Sequence, residues 1–146
     1  MLADNNPWWA DAVVYQVYPR SFADSNGDGI GDLDGLTSRL PYLSELRVDA
    51  LWLTPFYPSP LADGGYDVSD YRDVDPRLGT LGGFDALVAR AGEHGMRVIV
   101  DLVPNHCSAA HPLFQAALAA GPRARRGPAT EQLAVQLRRL RLDPGA

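Results

Sequence analysis

Three short apolar runs, each closed by a proline, constrain the fold of this chain more than any other feature. Residues 12–18 (AVVYQVY) stop at Pro19, residues 50–54 (ALWLT) at Pro55, and residues 97–103 (RVIVDLV) at Pro104. The first is rich in β-branched and aromatic residues and reads as a strand. The other two read as buried parallel strands, apolar along most of their length.

Between the runs the apolar spacing changes to three and four. Leu36, Leu40, Leu43 and Leu46, with Tyr42 among them, predict an amphipathic helix over residues 36–46, although Pro41 argues against an unbroken one. Phe84, Leu87, Val88 and Ala91 share one face of a helix predicted over residues 82–94, and Gly95 suits its C-terminus. A further helix begins within residues 111–120. The resulting order is strand, helix, strand, long loop, helix, strand, helix. That alternation belongs to the α/β class, with a parallel sheet joined by crossover helices. The acidic and aromatic loops follow strand C-termini, where α/β proteins place ligands.

Charge and cysteine usage narrow the function classes. A net charge of -5, with no basic run before the arginines near the end, argues against a nucleic-acid or acidic-membrane partner. Cys107 is the only cysteine, so no intramolecular disulfide forms, which suits a reducing compartment. The opening residues MLADNNPWWAD lack the basic start and apolar run of a secretory signal. No stretch approaches the roughly 18 apolar residues that cross a bilayer. The expected location is the cytoplasm, without a membrane partner.

The loop after the first strand carries oxygen side chains at alternating positions: Asp24, Asn26, Asp28 and Asp32, with Gly29 supplying the turn. A hard cation takes such oxygens, and the Ile30 carbonyl stands where the seventh position of a calcium loop ligates. Gly35 occupies the twelfth position, which in an EF-hand holds a bidentate Glu, and a strand precedes the loop. The reading is therefore structural calcium, or magnesium in its place, and not a calcium switch. A solvated turn rich in Asp and Gly is the plainer alternative.

The segments YQVYPRSFADSNGDGIGDLDGL, ADGGYDVSDY, RLGTLGGFDALV and DLVPNH together resemble the α-amylase family, glycoside hydrolase family 13, from about Trp8 to Gly121. The form of the first two is most similar to the α-glucosidase and oligo-1,6-glucosidase branch, with trehalose synthases close by. The resemblance implies an α/β fold comprising about the first three βα units of a (β/α)8 TIM barrel. It also implies that Asp101 and Asn105 organise the active-site floor. His106 and Asp63 would bind the hydroxyls of one glucose unit, and Tyr66 would stack on its face. Such partners suit a pyranose, which offers hydroxyls at its rim and an apolar C–H face. Taken singly, Tyr66 also reads as a packed loop aromatic, His106 as a satisfied loop histidine and Asp63 as a turn residue. Asp67 and Asp70 read as loop-shaping residues, and Cys107 as a small packed thiol.

Members of that family cleave α-glucosidic bonds with retention, using a nucleophile and an acid/base carboxylate about 5 Å apart. The resemblance places both on later strands of a fold of about 250 residues, so no catalytic residue is assigned in this chain. The expected substrate of the whole enzyme is an α-linked gluco-oligosaccharide. A trehalose synthase-type glucosyltransferase and a non-catalytic carbohydrate-binding module are the alternatives. Three strands without their neighbours would leave an open sheet edge and an uncovered barrel interior.

Residues 1–121 form the expected barrel portion, and residues 122–146 change character to PRARRGPATEQLAVQLRRLRLDPGA. Back-translating residues 129–146 with synonymous codons and reading one nucleotide later gives PPNNWQSNFGGSAWTRV, which resembles the family's PNNW…FGG.AW segment. The tail is therefore expected to be out of frame. A genuine amphipathic Arg/Leu helix is the rival reading.

Overall fold

A computed structural model describes residues 6–120. The tail reading, on residues 122–146, lies outside the described residues. One compact unit combines the residues up to Phe56 with Asp73–Asp101, and a second combines Tyr57–Arg72 with the residues from Leu102 onward.

The first unit is built on three parallel strands in the order β1-β2-β3: β1 Val14–Val17, β2 Ala50–Leu53 and β3 Arg97–Val100. Val14 stands opposite Ala50, and Leu53 opposite both Val17 and Val100. The ladder runs one residue further where the Thr54 N–H donates to the Val17 carbonyl and the Asp101 N–H to the Leu53 carbonyl, each at 3.0 Å. A four-residue helix, α1 Pro19–Phe22, follows β1. The sequence reading missed it, though Pro19 suits a first helical turn, where a missing N–H costs nothing.

The helix predicted over residues 36–46 is two helices, α2 Leu33–Ser38 and α3 Leu40–Glu45. Pro41 stands in the first turn of α3, whereas a continuous helix would require it to donate to the Thr37 carbonyl. Leu33, Leu36, Leu40 and Leu43 are fully buried, but Leu46 and Tyr42 are exposed. Leu46 is the C-cap of α3, beyond the stretch that the core covers. Asp32 caps α2 by accepting the Gly35 N–H at 2.6 Å.

Helix α4 spans Leu81–Glu93 and begins at Thr80, whose hydroxyl accepts the Gly83 N–H at 3.1 Å. It ends in a Schellman motif, with Met96 N–H on the Ala91 carbonyl and Gly95 N–H on the Gly92 carbonyl. Gly95 has the required left-handed φ of 74°. Leu87 and Ala91 are buried as the periodicity predicts, but Val88 is exposed, at the margin of the apolar stripe. Helix α4 packs against α2 and β3.

The C-terminus of α3 repeats that motif, with Val48 N–H on the Leu43 carbonyl and Arg47 N–H on the Ser44 carbonyl. Here the left-handed position belongs to Arg47, at φ 59°. A residue with a Cβ is strained in that region. Arg47→Gly is expected to raise the unfolding free energy by about 0.5–1 kcal/mol, measured by urea denaturation. A loss of stability would show the conformation to be unstrained.

Central β2 is buried apart from Trp52, but the expectation of a buried third strand is corrected: β3 is mostly exposed. The row Gln16, Trp52 and Ile99 crosses one sheet face and is exposed, while Val17 and Leu53 on the opposite face are buried. Burial of a parallel strand needs cover on both faces. On the face of Val17 and Leu53 the cover stops at β2, because Val100 beside Leu53 is exposed, so the edge strand β3 lacks cover on both faces. In the second unit, α5 covers Pro112–Ala120. Among the described residues, no helix is long and apolar enough to cross a membrane.

Candidate sugar-binding loops and cation loop

The second unit joins the chain that follows β2 to the chain that follows β3. Asp67 is the internal post of the first loop. Its buried carboxylate accepts the Ser59 hydroxyl at 2.7 Å, the Ala62 N–H at 3.0 Å and the Asp63 N–H at 3.1 Å. Burial raises the Asp67 pKa, but the Ser59 hydroxyl and the two N–H donors outweigh it and leave the carboxyl below its ordinary range. The Tyr66 N–H donates to the Asp63 carbonyl at 2.9 Å, which closes a tight turn over the two glycines between them.

That turn brings Asp63 to His106. Their Oδ2 and Nε2 atoms lie 3.9 Å apart, and the side chains are 70% and 43% exposed, so both remain accessible to a ligand. The neighbouring Asn105 Oδ1 is 2.8 Å from His106 Nδ1, a contact that favours the Nδ1–H tautomer. Asp63, His106 and Asn105 therefore form one local group, with Tyr66 in the same loop as Asp63. Asp101 belongs to the first unit, where its N–H extends the β2 ladder.

Tyr71 was not singled out by sequence, yet its side chain ties several segments of the second unit together. Its hydroxyl lies 2.8 Å from the Val103 carbonyl and 2.7 Å from the His106 carbonyl. Its ring packs against Tyr57 and His111, with centroids 6.0 Å away in both cases. Burial, reinforced by Cys107 and Tyr57, pushes its pKa up to about 12, so the phenol keeps its proton. Burial also raises the Cys107 thiol, which makes it a poor nucleophile. His111 precedes α5 and accepts the Leu113 N–H on Nδ1 at 3.1 Å. Burial lowers its pKa against the opposing pull of Asp70.

In the first unit, the loop of residues 24–32 is wrapped by its own amides. Asp24 accepts N–H groups of Asn26, Gly27 and Gly29, Asn26 accepts that of Asp28, and Asp28 that of Ile30, at 2.7–3.1 Å. The Gly29 and Gly27 N–H donors hold the Asp24 carboxyl below its usual range. Asp32, counted among the ligands from sequence, has both oxygens engaged elsewhere. Oδ1 caps α2, and Oδ2 accepts the Ser25 N–H and hydroxyl at 3.0 and 2.8 Å. Among the described residues, no three His, Cys, Asp or Glu side chains converge as a metal cluster. The donors are nevertheless all hard oxygens, which fits calcium or magnesium better than a softer ion.

A second group missed by sequence is the buried carboxylate of Asp75. It accepts Arg20 at 2.7 Å and Arg77 through two nitrogens, at 2.9 and 2.6 Å. Nothing in the run YRDVDPRLG signals a buried acid. Its partner Arg20 stands 55 residues away.

Comparison with known proteins bears on these loops directly. The description "Alpha amylase, catalytic domain" matches residues 16–130. A probable alpha-glucosidase of Rhizobium meliloti (strain 1021) is 57% identical over 114 residues, covering 78% of this chain and 21% of that protein. Maltase 1 of Drosophila virilis is 54% identical over 121 residues, covering 83% of this chain and 19% of its own length. The solved structure of the trehalulose synthase MutB from Pseudomonas mesoacidophila MX-45 superposes with a TM-score of 0.75 at 54% identity, over 77% of this chain and 20% of that one. Variants of that enzyme have been solved in complex with glucose and with sucrose. The chain thus spans about a fifth of the length of its relatives. Its parallel sheet and crossover helices are part of a TIM barrel, and the chain belongs to the alpha-amylase catalytic-domain family.

Proposed function

We propose that this chain is part of a retaining α-glucosidase, in which it supplies one wall of a glucose subsite and a cation-stabilised loop. The observation that carries the reading is the 3.9 Å approach of His106 to Asp63 with both side chains open to solvent. An imidazole beside a carboxylate can hold neighbouring hydroxyls of a pyranose, and Tyr66 offers an aromatic ring for its C–H face. Asn105 fixes the imidazole from its other nitrogen. The names of the α-glucosidase and maltase relatives, and the glucose complex of a structural neighbour, support the same reading. A second reading, glucosyl transfer, draws support from the trehalulose synthase likeness at comparable identity.

On this reading the 146-residue chain binds sugar but does not turn it over, because the nucleophile and acid/base lie on strands it does not carry. Glucose titrated into isotope-labelled chain is expected to shift the His106 ring signals, and Asp63→Asn to weaken that binding by about tenfold, as loss of one charge-assisted hydrogen bond predicts. Hydrolysis of p-nitrophenyl α-glucoside by the purified chain would contradict the account.

For the loop of residues 24–32 the same proposal assigns a structural calcium ion, or magnesium, to oxygens of Asp24, Asn26 and Asp28 and the Ile30 carbonyl, with Asp32 anchoring the far end. Calcium is expected to raise the melting temperature and magnesium to do so more weakly. Asp28→Ala should abolish the calcium response while leaving the calcium-free melting temperature nearly unchanged. A calcium response that survives this substitution sinks the assignment. A cytoplasmic location belongs to this reading and rests on the single cysteine, Cys107.

A further inference from the structure

We propose that Tyr71 is a positioning residue, whose hydroxyl clamps the turn that presents His106. The proposal rests on the reading of His106 as a sugar ligand, and it adds what holds that ligand in place.

The turn in question runs Val103, Pro104, Asn105, His106. Pro104 has no N–H, and among the described residues no backbone hydrogen bond links Val103 to His106 across it. Such a bond is one common source of stability in a tight turn. Here both of its terminal carbonyls face one phenol, at 2.8 and 2.7 Å. The hydroxyl has a single proton, so it donates to one carbonyl at a time, and the bond is shared between the two ends of the turn. Backbone ties flank the turn on either side, the Asp101 N–H on the Leu53 carbonyl at 3.0 Å and the Ser108 N–H on the Val68 carbonyl at 2.8 Å.

The phenol is itself immobilised. Tyr57 packs on its ring at an interplanar angle of 52° and His111 at 47°, so the hydroxyl is aimed by neighbours on two segments. It sits four residues after Asp67, whose carboxylate holds the Asp63 N–H. One short stretch of chain therefore anchors both members of the His106–Asp63 pair: Asp67 fixes the carboxylate's turn and Tyr71 the imidazole's. Their spacing is set by the Asp67–Tyr71 segment, and not by a bond between the two ligands, which at 3.9 Å is too long for one.

The test is Tyr71→Phe, which keeps the ring contacts and removes the hydroxyl. Amide hydrogen exchange at Ser108, whose N–H is held by the Val68 carbonyl just beyond the turn, is expected to quicken by about tenfold, the scale of one lost hydrogen bond, with the amides of β1 to β3 unchanged. Glucose, as the probe, should bind about tenfold more weakly while reaching the same His106 ring shifts at saturation. Unchanged exchange at Ser108, or an equal rise across the sheet, overturns the proposal. Quickened exchange in the variant, with no glucose response in the unsubstituted chain, would overturn the sugar reading and leave the clamp standing. Should the variant not fold, a slowly exchanging Tyr71 hydroxyl proton resolved by NMR in the unsubstituted chain reports the same clamp, and its absence counts against it.

Discussion

Asp75→Ala is expected to lower the unfolding free energy by about 3–5 kcal/mol, which is most of what a domain of this size has. The side chains of Asp75 and Arg20 are only 2% and 8% exposed, and Arg20 Nε has no partner among the described residues. Removing the carboxylate leaves a buried guanidinium without its counter-charge, and that desolvation cost has no compensation. Arg77, 43% exposed on its side chain, grips the same carboxylate from the solvent side. Arg77→Ala is accordingly expected to cost no more than about 1 kcal/mol. Urea denaturation of both variants decides the matter: equal losses would show that burial of Arg20 is not the cause.

The same group sets an acid limit. Burial alone would raise the Asp75 pKa, but Arg77 first and then Arg20 pull it down from 3.8 to about 2. A carboxyl with a depressed folded-state pKa contributes stability above its unfolded pKa and loses it as pH falls through the folded one. About 2 kcal/mol is therefore expected to disappear between pH 4 and pH 2. Asp75→Asn should flatten that part of the stability profile.

Gly35→Ala is the second large effect, and its cause is steric. A Cβ at Gly35 would lie 2.1 Å from the Ala23 carbonyl oxygen and 2.7 Å from its carbon. Both are backbone atoms, so no side-chain rotation relieves the contact, and α2 must move off the chain that follows α1. That movement pulls Leu33 and Leu36 from the core and the Gly35 N–H from the Asp32 cap. A loss of at least about 3 kcal/mol is expected. Gly92→Ala is the control. It lies in α4 with open space at its Cβ position, and should stabilise by about 0.5–1 kcal/mol. If both substitutions proved equally mild in thermal unfolding, the close approach at Ala23 would not be rigid.

Much of the fold was legible because its signals are local. A proline ending an apolar run, a three-and-four apolar spacing and a glycine closing it act through bonds that span a few residues. They placed β1, β2, β3 and α4 within a few residues of their observed limits. The break between α2 and α3 was half legible. Pro41 announced it, but not where in the period the chain would restart.

The candidate site divides along the same line. Asp63, Tyr66, Asn105 and His106 were named from motif order, and the carbonyls and amides that hold them were not. Tyr71 reads in sequence as one more loop aromatic, and its role comes from carbonyls more than 30 residues later. Asp75 carries no sequence signal of burial, and only the arrival of Arg20 makes it a buried counter-ion.

The sequence by itself determined the three parallel strands and the alternation of helices between them, the approximate limits of α4 and the family. Those features depend on periodicity, caps and motif order, which are properties of neighbouring residues. Only the tertiary structure decided that β3 stays exposed, that Asp32 caps a helix, that Asp75 pairs with Arg20 and that Tyr71 bridges the turn before His106. Each of these depends on which distant group supplies the missing face, donor or charge, and that partner is fixed by packing.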